Sequence, residues 1–362
     1  MAGRPSILIA GAGGVVGSAA LEHFSRLPDW AAVGLSRRRP PAAGESYLCV
    51  DLLDREACVR QLGALPDITH VIYAALFEKP GLIAGWRERD QMNTNLEMLR
   101  NLFDGLESGS PRLEHVSLLQ GTKAYGAHVH PMSIPGLERA PRDEHPNFYW
   151  LQEDLLRERQ SKASWSFTIW RPPIVYGHGI GSPMNLMAVI GVHGALLRAR
   201  RRALAYPGGA GGPLDGVDAR LLAQGFEWAT DAEAARNETF NLTNGDVYVW
   251  ENVWPAIAHA LGMEVGAPEP QLLYQTLPAK ANLWDRIVNE HRLQAPGLLE
   301  LVGDSLIYAD VLFNSGGERP PPPTLLSTVK IRQAGFAPCI DSQQMFVEWL
   351  ERLQEMRVLP RR

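Results

Sequence analysis

In the segment NFYWLQEDLL (Asn147 to Leu156), Tyr149 is followed four residues later by Glu153. Residues four apart share one face of a helix, so a lysine at that spacing would lower the pKa of the phenol and help it deliver a proton. A glutamate does the opposite. A phenol used for chemistry here must draw positive charge from another element, and the candidate is Lys123 in LLQGTKAYG. That segment leaves an apolar run, which puts Lys123 in the loop at the C-terminal edge of an expected fifth strand. A lysine at a strand edge is otherwise a solvated surface charge, and both readings stand at this point.

A second pattern suits phosphate. Gly11, Gly14 and Gly17 follow the apolar run Ile7 to Ala10 directly. Glycines let backbone N–H groups approach a pyrophosphate, and the N-terminus of the next helix, with Val15 and Val16, favours its charge. The expected second strand ends in LSRRRP, with Ser36, Arg37 and Arg38. An acid there would accept hydrogen bonds from ribose hydroxyls and repel a 2′-phosphate, whereas guanidinium groups bind phosphate in a fork. The motif points to NADPH, with a solvated basic turn as the alternative. Asp51, next to Leu52, is placed either to bond an adenine amino group or to cap the helix starting near Asp54. Ala74 and Ala75 end the fourth strand, Gln120 the fifth, and the backbone of Pro173, Ile174 and Val175 would meet a carboxamide after the sixth.

The elements that must hold these groups are legible. Apolar runs SILIAGA, AAVGLSR, YLCVDL, HVIYAAL, LEHVSLLQG and SFTIWRPPIVYG alternate with helical patterns near 15–27, 54–64, 88–107 and 148–162. Such alternation is the signature of a parallel sheet covered on both faces, an α/β Rossmann fold with a doubly wound sheet. Residues 1–180 form the nucleotide-binding domain, completed by a segment near 215–250 (a helix near 217–235 and the strand ETFNLT); residues 181–214 and 250–362 form a smaller, mainly helical substrate-binding lobe. ERPPPP (Glu318 to Pro323) reads as a stiff exposed linker.

Composition narrows the function. The chain has 362 residues and a net charge of −5, which excludes the basic face that nucleic acid requires. Cys49, Cys58 and Cys339 have neither metal-ligand spacing nor a disulfide framework, as expected of a cytoplasmic protein, and His128, His130 and His145 suggest no metal site. The N-terminal apolar run suits strand, turn and helix better than a secretory leader, and MNLMAVIGVHGALL is too short and interrupted to span a bilayer, so no membrane association is expected.

Together the glycine loop, SRRRP, LQGTKAYG, NFYWLQEDLL and WRPPIVYG resemble the progesterone 5β-reductase/iridoid synthase-like family of short-chain dehydrogenases, strongly through residue 180 and weakly beyond. The resemblance implies an NADPH-dependent oxidoreductase that reduces the C=C bond of an enone, with Tyr149 matching the catalytic tyrosine. Trp150 stands where plant members have a second tyrosine. Gly121 stands where extended short-chain dehydrogenases usually carry a serine or threonine. An enolate is a weaker base than an alkoxide, so a phenol hydrogen bond suffices without the full proton relay of a ketone reductase. Lys123 would orient the nicotinamide ribose. Phe148, Trp150 and Trp284 are candidate walls of an apolar pocket for a small-molecule enone. Two alternatives remain: a ketone or aldehyde reductase on the same fold, and a non-catalytic NADP(H)-sensing protein, against which the retained Tyr149 argues. A homodimer is compatible with the sequence.

Overall fold

Along β1 (Ser6–Ala10) the side chains alternate between two hydrophobic layers. Ile7 and Ile9 pack with Phe24 and Phe226, whereas Leu8 and Ala10 pack with Leu99, Leu102 and Leu155. A strand buried on both faces has no polar side, which is why these runs are apolar throughout. The computed structural model describes residues 4–39, 46–65, 67–109 and 112–362; Pro40, the end of the LSRRRP motif, lies outside them.

The chain continues through α1 (Val15–Arg26), β2 (Ala31–Ser36), β3 (Tyr47–Cys49), α2 (Arg55–Leu62), β4 (His70–Tyr73), α3 (Arg89–Ser108), β5 (His115–Leu119), α4 (Phe148–Gln160) and β6 (Ser166–Arg171). After β7 (Ile174–Tyr176) come α5 (Leu186–Arg198), β8 (Gly216–Asp218), α6 (Ala219–Asp231), β9 (Glu238–Asn241) and α7 (Trp250–Ala260). Seven parallel strands form one sheet in the order β3-β2-β1-β4-β5-β6-β9. This is the doubly wound Rossmann arrangement, with α1 and α6 on one face and α2, α3 and α4 on the other.

Two expectations need correction. SFTIWRPPIVYG is two strands in two sheets: β6 lies between β5 and β9, while β7 pairs with β8 in a separate two-stranded sheet. Pro172 and Pro173 lack the N–H groups a ladder needs, so the strand breaks there. The helix expected near 217–235 starts at Ala219, because Gly216–Asp218 is extended as β8 and Asp218 caps the helix through the Arg220 N–H.

Most of MNLMAVIGVHGALL forms α5, which is buried in a third core with α7 and the helices Ala281–His291, Ser305–Leu312 and Ser342–Glu355. No helix among the described residues is long and apolar enough to cross a membrane.

One buried amide ties this framework to the site. Asn95 of α3 accepts from the Phe77 N–H at 2.9 Å and donates to the Phe77 carbonyl at 2.9 Å, clamping the chain that leaves β4. Asn95→Leu would strand both Phe77 backbone groups, at about 1–3 kcal/mol for each buried group left unpaired. Urea unfolding should therefore show a clear fall in midpoint, and an unchanged midpoint would contradict this role.

Candidate active site

A cavity of about 500 Å³ opens where the central strands end. Gly11 leaves β1 at φ 85°, and a Cβ there would lie 2.6 Å from the Ala74 carbonyl oxygen, so only glycine lets the loop cross β4 this closely. Gly14 is the N-cap of α1 and covers the helix end with no side chain. Gly11, Gly14, Val15 and Val16 line the cavity. Gly17 does not: a Cβ there would strike the Gly11 carbonyl, so its role is to let α1 pack on the loop.

Ser36 and Arg37 line the same cavity at the end of β2. Arg38 is exposed beside it; its carbonyl accepts from Ser36 Oγ at 2.6 Å, and its side chain is not part of the wall. Asp51 and Leu52 face the cavity, and Asp51 is not the cap of α2. Asp54 caps α2 through the Ala57 N–H at 2.9 Å, while Asp51 accepts from the Leu53 N–H at 3.0 Å. Ala74, Ala75, Gln120, Pro173, Ile174 and Val175 complete the expected lining.

The segment after β7 was missed because it reads as the start of another lobe. A Cβ on Gly179 would lie 2.8 Å from the Val15 nitrogen, and Ser18 Oγ donates to the His178 carbonyl at 2.7 Å. This segment thus closes on the glycine loop, and Ile180 to Met184 join the wall. The glycines of HGIGSP, directly after RPPIVYG, were the available signal.

At the other end, one residue places both catalytic candidates. Asn147 caps α4 by accepting from the Tyr149 N–H at 3.1 Å and donates from Nδ2 to the Lys123 carbonyl at 2.9 Å. Tyr149 lines the cavity, and a Cβ at Gly121 would lie 3.2 Å from its hydroxyl. Burial, then the charge of Glu78, raises the Tyr149 pKa and keeps the phenol protonated. Lys123 also lines the cavity. Its Nζ lies 3.8 Å from the centre of the Trp86 ring and 3.4 Å from Glu78 Oε1. Burial pushes the ammonium down to about 8, against the attraction of Glu78. Lys123 is therefore an enclosed charge rather than a solvated one. His128 lines the wall beside it, its pKa pushed down to about 4 by burial and by the neighbouring His145 and Lys123. Sequence reasoning missed Glu78 and Trp86, and also Tyr308, Val311 and Leu312, which reach the cavity from the helix Ser305–Leu312.

Glu153 faces away from this cavity. Arg157 bonds its Oε1 through Nε at 3.0 Å and Nη2 at 2.9 Å, Arg142 lies 3.1 Å away, and Gln120 Nε2 bonds Oε2 at 3.1 Å. Burial alone would raise its pKa; Arg157, Arg142 and Gln120 outweigh that and hold it lowered. The helix position where a lysine would serve the phenol is thus an anchor for α4.

Two of the three proposed aromatic walls lie elsewhere. Phe148 lines the cavity, but Trp150, two residues on, points about 200° around the helix and packs near Arg142 and Arg171. Trp284 is fully buried in the third core, where its Nε1 donates to the Pro296 carbonyl at 3.0 Å. Its burial follows from the apolar face of its own helix and has no connection with the cavity.

The cavity fits a dinucleotide. It has a glycine cradle at a helix N-terminus, a hydroxyl and a guanidinium at the end of β2, and a phenol and an ammonium at the far end. Two outcomes follow from the charges. Lys123 is protonated below about 8 and loses its proton as pH rises through that value, so a reaction that needs the ammonium keeps its rate below pH 8 and declines above it. A kcat/KM profile that stays level to about pH 10, near the ordinary lysine value, would contradict this. Glu153→Lys would set a cation in a buried position among Arg142, Arg157 and Arg171 and leave the buried Arg171 without its carboxylate, so thermal unfolding should show a destabilised protein with no gain in turnover.

Comparison with known proteins agrees with the motifs. The chain is 30% identical to the (S)-8-oxocitronellyl enol synthase of Catharanthus roseus, with 98% of this chain and 92% of that protein covered. It is also 30% identical to the 3-oxo-Delta(4,5)-steroid 5-beta-reductase of Arabidopsis thaliana, with 98% and 92% covered. Among solved structures, a UDP-glucose 4-epimerase superposes with a TM-score of 0.67 at 15% identity, covering 99% of this chain and 100% of that one, a likeness of fold. Residues 54–295 match the PRISE-like Rossmann-fold domain, and the chain belongs to that family, as its motifs indicated.

Proposed function

We propose that the protein is an NADPH-dependent enone reductase acting on the C=C bond of an α,β-unsaturated carbonyl compound. The observation that carries this reading is the pairing of a protonated, cavity-facing Tyr149 with the enclosed ammonium of Lys123, while Glu153 is turned into its arginine cage. The two plant relatives named above, an 8-oxocitronellyl enol synthase and a 3-oxo-Delta(4,5)-steroid 5-beta-reductase, support the same chemistry.

Gln120, Lys123 and the backbone of Pro173 would hold a nicotinamide, which when bound would supply the hydride. The chain's own groups do the rest. Tyr149 donates a hydrogen bond to the substrate carbonyl oxygen and stabilises the charge that develops there as the β-carbon is reduced. A phenol whose pKa is raised suits this task, because it remains a donor throughout. Lys123 orients the ribose and adds positive potential. The cavity's apolar side chains, Phe77, Phe148, Met184 and Leu312 among them, exclude water and suit an uncharged substrate. The choice of NADPH rests on Ser36 and Arg37, which line the cavity where an NAD-selective site would present an acid.

The test uses NADPH deuterated on the transferring face with a panel of cyclic and open-chain enones. The label should appear on the β-carbon; label confined to a carbinol carbon would establish a ketone or aldehyde reductase instead. Tyr149→Phe should lower turnover on the order of 10²–10³-fold, the usual loss for one oxyanion donor, with NADPH affinity retained. Arg37→Ala removes a charge-assisted bond worth about 1.5–3 kcal/mol, so NADPH should bind roughly ten- to a hundredfold more weakly while NADH binding hardly changes. Equal losses for both cofactors would show that Arg37 does not read the phosphate.

A further inference from the structure

Glu78 is not part of any motif, yet it is among the most enclosed carboxylates near the cavity, with its side chain 1% exposed. Oε1 accepts from Trp86 Nε1 at 3.2 Å and from Lys123 Nζ at 3.4 Å, and Oε2 accepts from Gln91 Nε2 at 2.6 Å. The donors come from three separate places: the turn Ala84–Arg87, the turn Thr122–Tyr125 and α3. Gln91 also accepts the Lys79 N–H at 2.9 Å, so both flanks of Glu78 are clamped, Phe77 by Asn95 and Lys79 by Gln91. A carboxylate fixed this firmly, with both oxygens satisfied, is built to present charge in one direction.

We propose that Glu78 is a positioning residue for the active site, holding the Lys123 ammonium against the cavity wall and maintaining its charge. This rests on the reading of Lys123 as the lysine that serves Tyr149. Trp86 works with Glu78: its N–H bonds the carboxylate while its ring face covers the ammonium, so the two sides of the ion pair share one indole. An ammonium has three donors, and with Glu78 taking one, the remaining ones are available toward a ligand. Burial opposes both charges, raising Glu78 and lowering Lys123, and each charge offsets this for the other.

The other ionisable groups facing the pair are few. His128 and Tyr149 share the wall, with His145 and Asp143 behind His128. Lys79 turns outward to Glu88 and Asp90, and Arg87 bonds the His128 carbonyl at 2.7 Å. Among the described residues, Glu78 is the one carboxylate paired with Lys123. Removing its charge must therefore let burial lower the lysine further.

The chain has only five lysines, so the ε-CH₂ signals of protein labelled with ¹³C-lysine can be followed singly, with Lys123→Met identifying the resonance. In the full-length wild type the Lys123 signal should titrate near 8. In Glu78→Gln its midpoint should fall by about one unit or more, and Glu78→Asp, which keeps the charge on a shorter arm, should recover part of that shift. The basic limb of the kcat/KM profile should move down in parallel in Glu78→Gln, with kcat affected more than KM. An unshifted Lys123 titration in folded Glu78→Gln and Glu78→Asp would overturn the proposal. The NMR midpoint is read without substrate, so a shifted midpoint supports the positioning role even where no enone is reduced; that second result would count against the enone-reductase reading alone.

Discussion

A lysine cation enclosed by aromatic walls needs a carboxylate beside it, and the Lys123–Glu78 contact meets that requirement at the end of the cavity that holds Tyr149. Much of the surrounding construction serves these two residues. Asn95 and Gln91 fix the chain on either side of Glu78, and Asn147 fixes the carbonyl of Lys123 while starting the helix that carries Tyr149. Phenol and ammonium are thereby positioned through a single shared side chain, although they lie on different elements and 26 residues apart in sequence, at 149 and 123. The usual solution places both on one helix. Here the helix contributes the phenol and the loop after β5 contributes the charge.

That division explains the glutamate at the fourth position after Tyr149. With no cation to supply, α4 can use the position one turn after Tyr149 for packing instead. Glu153 gathers Arg142, Arg157 and, at 3.7 Å, Arg171, and it reaches Gln120 on the strand-5 side. Gln120 in turn accepts from Arg171 Nε at 2.9 Å and donates weakly to the Tyr149 carbonyl at 3.4 Å. The result is two separate charge systems near α4. The arginine-rich one locks α4 to β5 and β6, and the lysine-centred one faces the cavity.

Most strands of the parallel sheet were legible because burial on both faces leaves a continuous apolar run, and the glycine spacing marked the tight loop between β1 and α1. That Tyr149 and Lys123 would line one cavity was legible because the absence of a lysine on the helix made the other conspicuous. The strand break at Pro172 and Pro173 was present in the sequence as two missing N–H donors, and reading through it merged β6 with β7. Glu78, Trp86 and Tyr308 carried no spacing signal. Trp86 and Tyr308 line the cavity and Glu78 stands behind Lys123, on three segments whose meeting is decided by packing. Trp150 and Trp284 show the converse: aromatic character says that a side chain is buried, and only helix phase or tertiary contact says where.

We infer that a lysine from the strand-5 loop takes the place of the helix lysine beside the nicotinamide ribose. A crystal structure with oxidised NADP and a saturated ketone product tests it most directly. Lys123 Nζ should lie within hydrogen-bond distance of a ribose hydroxyl and Tyr149 Oη on the ketone oxygen, with Glu153 still enclosed by its arginines. A ribose held by other groups, with Lys123 directed away from it, would contradict the claim.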